Sequence, residues 1–535
     1  MTQLALLLLL ASVGHGLSRW TRLPVIPLLL ALGMLGSFSG LIPHPGEGKD
    51  LAAQEDPLFF VLELGLVFVV FVSGLELAPR RFRHHRGSVL WIGLTQFFVM
   101  GAVGFGLAQL LNLSVLESIY VGCAVSASST VLVLRQLRTT QQAVEPQGRM
   151  LIGVLLLQDV MALGLLITLS TLGMKEEGAW IQVLLTAGAM GVAAWWLQRS
   201  GAERLLRWCE GDEELILLLT LALLFAFLGG AYAGGVPVIA GAFLAGYSLS
   251  SFPVTGWVSA PMQSLSEFFR SVLFVALGGL LTLPSLGTVG QALLLAFSMW
   301  LLTPPLVAWL MERVGWTSRP SIESGLLLAQ TSEFSIILAL AGLRMTHLSD
   351  ETFTVIVLMA VVTMSATPFL ARESVIRQLL HWHPGRRRRR SEPRKKPALT
   401  NHQVLLLGFG TSGMSLYRAM QAKGWSVLVI DDDPAVISEL TKRKISCLRG
   451  DAADGHTLEQ ANVDQASLIV VTTRRAEDAL TVLRQTAGVR VLARVFDDGD
   501  AERIRALGGV PVSGAEAATE AFERWWADSG STSEV

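Results

Sequence analysis

The sequence is poor in charge. Of its 535 residues only 16% are Asp, Glu, Lys or Arg, against about 25% in ordinary soluble domains, while 51% are hydrophobic and the mean hydropathy is +0.51. That shortage excludes a wholly soluble chain. Cysteine is scarcer still. Cys123, Cys209 and Cys447 stand far apart, form neither a disulfide framework nor a metal-spaced cluster, and read as three free thiols. The C-terminal region also lacks a Tyr-x-x-x-Lys, a metal cluster and a catalytic-histidine motif, which argues against an NAD-dependent membrane oxidoreductase and against any enzyme. The apolar opening Leu4 to Val13 lacks the positive flank and the A-x-A-like site of a signal peptide, so it reads as a first membrane helix.

What is present falls into two regimes, which the net charge of -1 merely averages. Residues 1–380 carry repeated apolar runs of roughly 18–25 residues, long enough to cross about 30 Å of hydrocarbon as helices. Residues 381–397 form a basic linker with the run Arg386 to Arg390, and its simplest role is a solvated tether that holds orientation; a lipid-headgroup or regulatory contact is the sharper reading. Residues 398–520 have globular composition, and 521–535 form a tail. The expected fold is a polytopic α-helical membrane protein of about 13 transmembrane helices, followed by a C-terminal α/β Rossmann-like domain. The spans fall at 3–18, 23–41, 58–78, 88–111, 116–136, 149–171, 179–197, 214–230, 233–250, 266–283, 288–311, 321–343 and 351–371. Basic residues concentrate in alternate loops (Arg19 and Arg22; Arg80 to Arg86; Arg135, Arg138 and Arg149; Arg199, Arg204 and Arg207; Arg313 and Arg319), which puts the N-terminus outside and the C-terminus in the cytoplasm.

The spans repeat. Pro24-Val25-Ile26 with Gly33 in the second span matches Pro237-Val238-Ile239 with Gly246 in the ninth. Gly74-Leu75 and Pro79 in the third match Gly279-Leu280 and Pro284 in the tenth. A seven-span offset is odd, so the two copies face opposite ways, as in the inverted repeats of secondary transporters. The repeat then predicts two interrupted helices: the fifth span at Ser126 to Thr130, rich in small hydroxyl residues, and the twelfth at Ala329-Gln330-Thr331-Ser332-Glu333-Phe334. Unwound backbone at the midplane is tolerated where it lines a cavity, and its freed dipoles bind ions; plain small-residue helix packing is the bland alternative for the fifth span.

The sixth span places Gln158-Asp159 near the middle of about twenty apolar residues. A charge there costs roughly 2.5–3.5 kcal/mol even on the lenient insertion scale, so function is the default reading. An acid so placed holds either a proton or a small cation. Glu333 is a second site or a charge partner; Glu63 and Glu76 lie nearer the ends of the third span; Arg135 and Arg270 sit near helix ends and are expected to snorkel.

Gln158-Asp159 after the Ser128-Ser129-Thr130 helix resembles the cation:proton antiporter-2 group, especially the Kef-type potassium efflux antiporters. So do Glu63-Leu64-Gly65 with Gly74-Leu75-Glu76-Leu77, Gly241-Ala242-Phe243-Leu244-Ala245-Gly246, and Glu333-Phe334 after Ala329-Gln330. The resemblance covers nearly the whole chain. It implies a usually dimeric, elevator-type antiporter of a bacterial inner membrane, with a core built on two crossed broken helices. It also implies that the acid matching Asp159 carries the ion and the proton, and that Gln158 goes with potassium more than sodium. At Thr331-Ser332 the chain departs from the family's Gly-Gly, which leaves K⁺ against Na⁺ open.

After the linker, Gln403 to Leu407 reads as a strand, Gly408-Phe409-Gly410-Thr411-Ser412-Gly413 as a G-x-G-x-x-G turn opening a helix, and Val427 to Ile430 as a second strand ending at Asp431, followed by Asp432. Such glycines let the backbone approach a pyrophosphate at the helix N-terminus, and the acid accepts from ribose hydroxyls. An acid there favours NAD(H) or an adenine nucleotide (AMP or ATP) over NADP. Gly450-Asp451-Ala452 ends a third unit. Residues 402–515 resemble the TrkA-type regulatory nucleotide-binding domain, which implies that Asp451 also lines the pocket. The alternatives are a Rossmann-like domain that has lost its ligand and, for the whole chain, a nucleotide-gated channel. The expected partners are K⁺ or Na⁺, protons, lipid and a second copy, with no nucleic acid.

Overall fold

The computed structural model describes residues 2–21, 23–40, 57–77, 86–140, 142–143, 145–171, 179–207, 209, 212–251, 254–281, 283–382, 403–410, 413–473, 475–486 and 488–529. The basic run of the linker, Pro79, Arg80 to His85, Thr411 and Ser412 lie outside these residues. The chain forms two compact units. The first comprises Met1–Val133, Met150–Leu306 and Gly325–Arg372; the second comprises Leu134–Arg149, Val307–Ser324 and Glu373–Val535.

The membrane region is helical because a helix satisfies every backbone group within its own segment, which hydrocarbon demands. Its helices are α1 (Thr2–Thr21), α2 (Val25–Phe38), α3 (Pro57–Glu76), α4 (Arg86–Leu110), α5 (Val115–Ser126), α6 (Thr130–Thr139), α7 (Pro146–Thr171), α8 (Ala179–Trp196), α9 (Ala202–Arg207), α10 (Glu213–Ala233), α11 (Val238–Ser248), α12 (Val254–Gly279), α13 (Leu286–Val314), α14 (Ser318–Leu328), α15 (Glu333–Arg344), α16 (Asp350–Leu370) and α17 (Glu373–Trp382). Polar caps set several starts. Ser114 and Glu117 close a reciprocal capping box at α5, Asp212 accepts two amides at α10, and Ser349 caps α16. Each of the thirteen expected segments falls on a helix or a helix pair. By length and apolarity, nine helical segments among the described residues can cross a membrane, and α2 and α11 are shorter, so the count of thirteen spans stays an expectation.

Both interruptions lie where the hydroxyl-rich sequence puts them. α5 gives way to α6 across Ala127, Ser128 and Ser129, with Ala127 extended at φ -91°, ψ 138°. α14 gives way to α15 across Ala329 to Ser332, and the Ser332 hydroxyl accepts from the Phe334 amide to start α15.

The repeat is visible as two interlocked contacts. A Cβ at Gly33 of α2 would overlap the Val275 carbonyl of α12, and one at Gly278 would overlap that of Leu30. In the other copy, a Cβ at Gly246 of α11 would overlap the Phe71 carbonyl of α3, and one at Gly74 would overlap that of Phe243. These contacts pair Gly74 with Gly278, one residue away from the sequence match to Gly279. Backbone touching backbone is the constraint, and Gly278 is the glycine that faces α2.

The second unit holds a six-stranded parallel sheet in the order β3-β2-β1-β4-β5-β6, with β1 (Val404–Leu407), β2 (Val427–Asp431), β3 (Cys447–Arg449), β4 (Leu468–Val471), β5 (Arg490–Val495) and β6 (Val510–Ser513). α18 (Gly413–Ala422), α19 (Pro434–Lys442), α20 (Gly455–Gln460), α21 (Ala476–Gln485), α22 (Asp498–Ala506) and α23 (Gly514–Ser529) complete it. The strand order reverses between β1 and β4, the doubly wound arrangement that leaves a crevice beyond the carboxyl ends of those strands. The central strands β1 and β2 are buried along their whole length, as the run Val404-Leu-Leu-Leu407 implies.

Candidate functional site

Asp159 is 0% exposed, midway along α7. Its Oδ2 accepts from the Thr130 hydroxyl at 3.1 Å, where α6 begins, and from the Ser73 hydroxyl of α3 at 3.2 Å. Its Oδ1 is buried and has no hydrogen-bond partner among the described residues, and no ion pair there involves it. The two helix breaks meet at this level, where the Ser128 hydroxyl donates to the Leu328 carbonyl at 2.7 Å. Ser129 faces Glu333, its hydroxyl 3.5 Å from Oε1. A cavity of about 40 Å³ is lined by Ser73, Glu76, Thr130, Arg270, Ser332 and Glu333, among others. That volume holds a few water-sized particles.

The structure therefore brings Thr130 onto Asp159 and Ser129 onto Glu333, and directs Gln158 elsewhere. The Gln158 side-chain Oε1 accepts from the Ser128 backbone N–H at 3.0 Å, and its Nε2 donates to Gln96 Oε1 of α4. Ser73 and Gln96 are additions to the site. Each is one of a few polar residues in a largely apolar helix, with nothing in its spacing to link it to Asp159 or Gln158. Arg270 does not snorkel from a helix end. α12 starts at Val254, twelve residues before the expected 266, so Arg270 lies well inside the helix and lines the same cavity as Glu333.

The second site lies at the carboxyl ends of β1, β2 and β3. Gly408 and Gly410 take φ of +83° and +40°, which suits glycine, and a Cβ at Gly410 would meet nothing within 4 Å. The Asp431 carboxylate accepts from the Phe409 amide at 2.7 Å and the Asp433 amide at 2.8 Å. Burial, partly offset by those amides, lifts its pKa to about 6. Burial and the neighbouring Asp431 and Asp451 charges hold Asp432 well above the usual carboxylate range. Ala452 is buried, and Asp451 accepts from the Ala453 amide at 2.9 Å. The Thr473 hydroxyl oxygen, beside Gly408, is buried without a partner among the described residues. Open space at Gly410, an acid at the end of β2 and a hydroxyl unpartnered among the described residues fit a nucleotide's pyrophosphate and ribose.

An ionic cluster within this unit was not legible in the sequence. Arg319, in the first turn of α14, meets Asp478 at 2.9 Å, Glu373 at 3.0 Å and Asp451 at 3.6 Å. Arg475 meets Glu323 at 3.0 Å and the Gln147 side-chain Oε1 at 3.1 Å, and Gln147 Nε2 donates to the Pro320 backbone carbonyl. Burial opposes the Arg475 charge, but Glu323 and Asp478 outweigh it and keep the guanidinium above its ordinary value. The sequence marked Arg319 only as a loop charge; its partners lie as many as 159 positions away.

Known proteins match the chain in two parts. The family described as sodium/hydrogen exchanger, transmembrane, matches residues 5–372, and the TrkA-N domain matches residues 404–512. The glutathione-regulated potassium-efflux system protein KefC of Cronobacter sakazakii is 26% identical over 502 residues, 90% of this chain and 79% of its own. KefC of Klebsiella pneumoniae is 26% identical over 459 residues, 83% of this chain and 72% of its own. The solved structure of the sodium proton antiporter MjNhaP1 from Methanocaldococcus jannaschii at pH 8 shares the fold, with a TM-score of 0.53 at 18% identity, over 70% of this chain and 97% of that one. These relatives are transporters and not enzymes. The exchanger match takes in well over half of the sequence: the protein belongs to the sodium/hydrogen exchanger family, as a multi-pass membrane cation:proton antiporter in the Kef-type arrangement with a C-terminal TrkA-N domain.

Proposed function

We propose that this chain exchanges K⁺, in preference to Na⁺, for protons, one for one, through Asp159. The observation that carries the reading is the placement of that carboxylate. It is wholly buried where two helix breaks meet, with two hydroxyls on one oxygen and none on the other. A charge so placed needs neutralising, and a proton and a partly dehydrated cation compete to do it. Ser128, Ser129 and Thr130 shape the site. Arg270 in the cavity with Glu333 favours Glu333 as a balanced charge, not a second carrier. The preference for K⁺ rests on Gln158 beside Asp159 and on relatives that are potassium-efflux proteins. The motion is elevator-type, in a homodimer of a bacterial inner membrane.

In this reading residues 1–380 exchange ions, 381–397 link, 398–520 bind a nucleotide and 521–535 form a tail. The C-terminus is cytoplasmic and the N-terminus outside, a reading supported by Arg138, Arg149, Arg313 and Arg319 lying in the same compact unit as the nucleotide fold. Gly408, Phe409, Gly410, Thr411, Ser412 and Gly413 would hold the pyrophosphate of NAD(H), AMP or ATP, and Asp431 and Asp432 the ribose, with Asp451 and Ala452 lining the pocket. Arg319 and Glu323 give that domain a covalent lever on transport, because they belong to α14, whose other end opens onto the break before Glu333. The test is proton flux in proteoliposomes under a K⁺ or a Na⁺ gradient. The expected result is a larger flux with K⁺, insensitive to an imposed membrane potential because equal charges move in opposite directions. Equal flux with Na⁺ removes the potassium preference, and a strong voltage dependence rejects one-for-one exchange.

A further inference from the structure

Among the backbone groups that the break between α5 and α6 strands are the Ser128 N–H, which in a continuous helix would reach the carbonyl of residue 124, and the Ser126 carbonyl, which would accept from residue 130. Both are buried, where an unpaired group is costly. A side-chain relay takes them up. The Ser128 N–H donates to Gln158 Oε1 at 3.0 Å, Gln158 Nε2 donates to Gln96 Oε1, and Gln96 Nε2 donates to the Ser126 carbonyl at 3.0 Å. The relay has one possible direction. An amide N–H can only donate, so Gln158 must turn its oxygen to Ser128 and its NH₂ to Gln96. Gln96 must then turn its own NH₂ to Ser126. Gln96 is 1% exposed and Gln158 0% exposed, so both are shielded from bulk water.

We infer that Gln96 is a positioning residue for the ion site. It fixes the orientation of the Gln158 amide and, through the Ser126 carbonyl, the path of the unwound backbone from which Ser128, Ser129 and Thr130 project. In this role Gln158 acts as a clamp on the break, since both ends of its amide are engaged. The relay governs how well a cation fits beside Asp159 and leaves the proton chemistry of Asp159 alone. The inference rests on the reading of Asp159 as the carrier.

The test uses full-length protein in proteoliposomes and reads the apparent KM for K⁺ and for Na⁺, the maximal rate, and its pH profile. Gln96→Leu leaves the Gln158 NH₂ and the Ser126 carbonyl unpaired. It is expected to raise KM for K⁺ by about tenfold or more, the scale of one stranded buried polar group, and to narrow the K⁺/Na⁺ ratio. The pH profile of the maximal rate stays that of the native protein. Gln96→Glu is the rescue variant. In its neutral form it can accept from Gln158 and donate to Ser126, so the ratio of its KM to that of the native protein at the same pH falls towards one as pH falls. Because the relay is one unit, Gln96→Leu with Gln158→Leu is expected to be no worse than the worse single variant. An unchanged KM in Gln96→Leu, additive losses in the pair, or a Gln96→Glu variant without acid rescue overturns the inference. If Gln96→Leu fails to fold, Gln96→Glu decides. Exchange surviving in Asp159→Asn overturns the carrier reading instead, so the two failures are distinguishable.

Discussion

Asp159 and Asp478 are both buried carboxylates, at 0% and 5% exposure, and they are neutralised in opposite ways. Asp478 meets the Arg319 guanidinium at 2.9 Å, and that compensation is permanent. Among the described residues Asp159 meets only hydroxyls, on one oxygen. Its compensation has to be mobile, a proton or a cation. A buried acid with a fixed partner works as a joint, and removing one side of it leaves a stranded charge. A buried acid without one works as a binding site. What separates the two is therefore the neighbour and not the burial.

The sharpest way to break this comparison is Asp159→Asn, which keeps size and hydrogen bonding but cannot ionise. Cation-driven proton flux in proteoliposomes is expected to fall to background in a normally expressed, folded protein. Robust exchange would refute the carrier. Asp478→Asn is the matched change at the joint. Basal exchange is expected to persist, while the protein loses about 1–3 kcal/mol of stability in thermal unfolding, because Arg319 keeps Glu373 and Asp451 as partners. The response of flux to added adenine nucleotide is expected to weaken in the same variant. An unaltered nucleotide response would remove Arg319 from the regulatory path. The smallest effect belongs to Asp431. Its pKa is raised to about 6, so its charged form, the better acceptor for ribose hydroxyls, grows in as pH rises through that value. Nucleotide affinity measured by calorimetry is expected to increase from pH 5 to 7, and Asp431→Asn to flatten that rise. The same shift has a cost with a definite sign. The neutral carboxyl stabilises the fold fully below about pH 4, and that contribution is lost as pH climbs through about 6.

Much of this was legible in the sequence because it is periodic or local. Apolar runs located the helices, the hydroxyl clusters at Ser126 to Thr130 and Thr331-Ser332 located both breaks, and a single acid in an apolar span singled out Asp159. The glycine turn with Asp431 located the nucleotide fold. What escaped has no periodicity. Gln96 reaches Gln158 across 62 positions, Ser73 reaches Asp159 across 86, and Arg319 reaches Asp478 across 159. The expected register of the repeat slipped by one residue because the sequence aligns Gly279, while the contact with Leu30 is made by its neighbour Gly278. Arg270 was misread because the start of α12 lies in the mixed stretch 254–265, whose apolar residues are interrupted by Thr255, Ser259, Gln263 and Ser264.

The compact unit built around the parallel sheet is assembled from three separate stretches of chain, and two of them, Leu134–Arg149 and Val307–Ser324, precede the glycine turn by hundreds of residues or by about eighty. A soluble fragment beginning near residue 398 would keep every strand yet leave Asp478, Asp451 and Arg475 facing solvent where Arg319 and Glu323 had been. Ligand titrations on such a fragment would describe a differently charged molecule, and the full-length chain is the proper reagent for them.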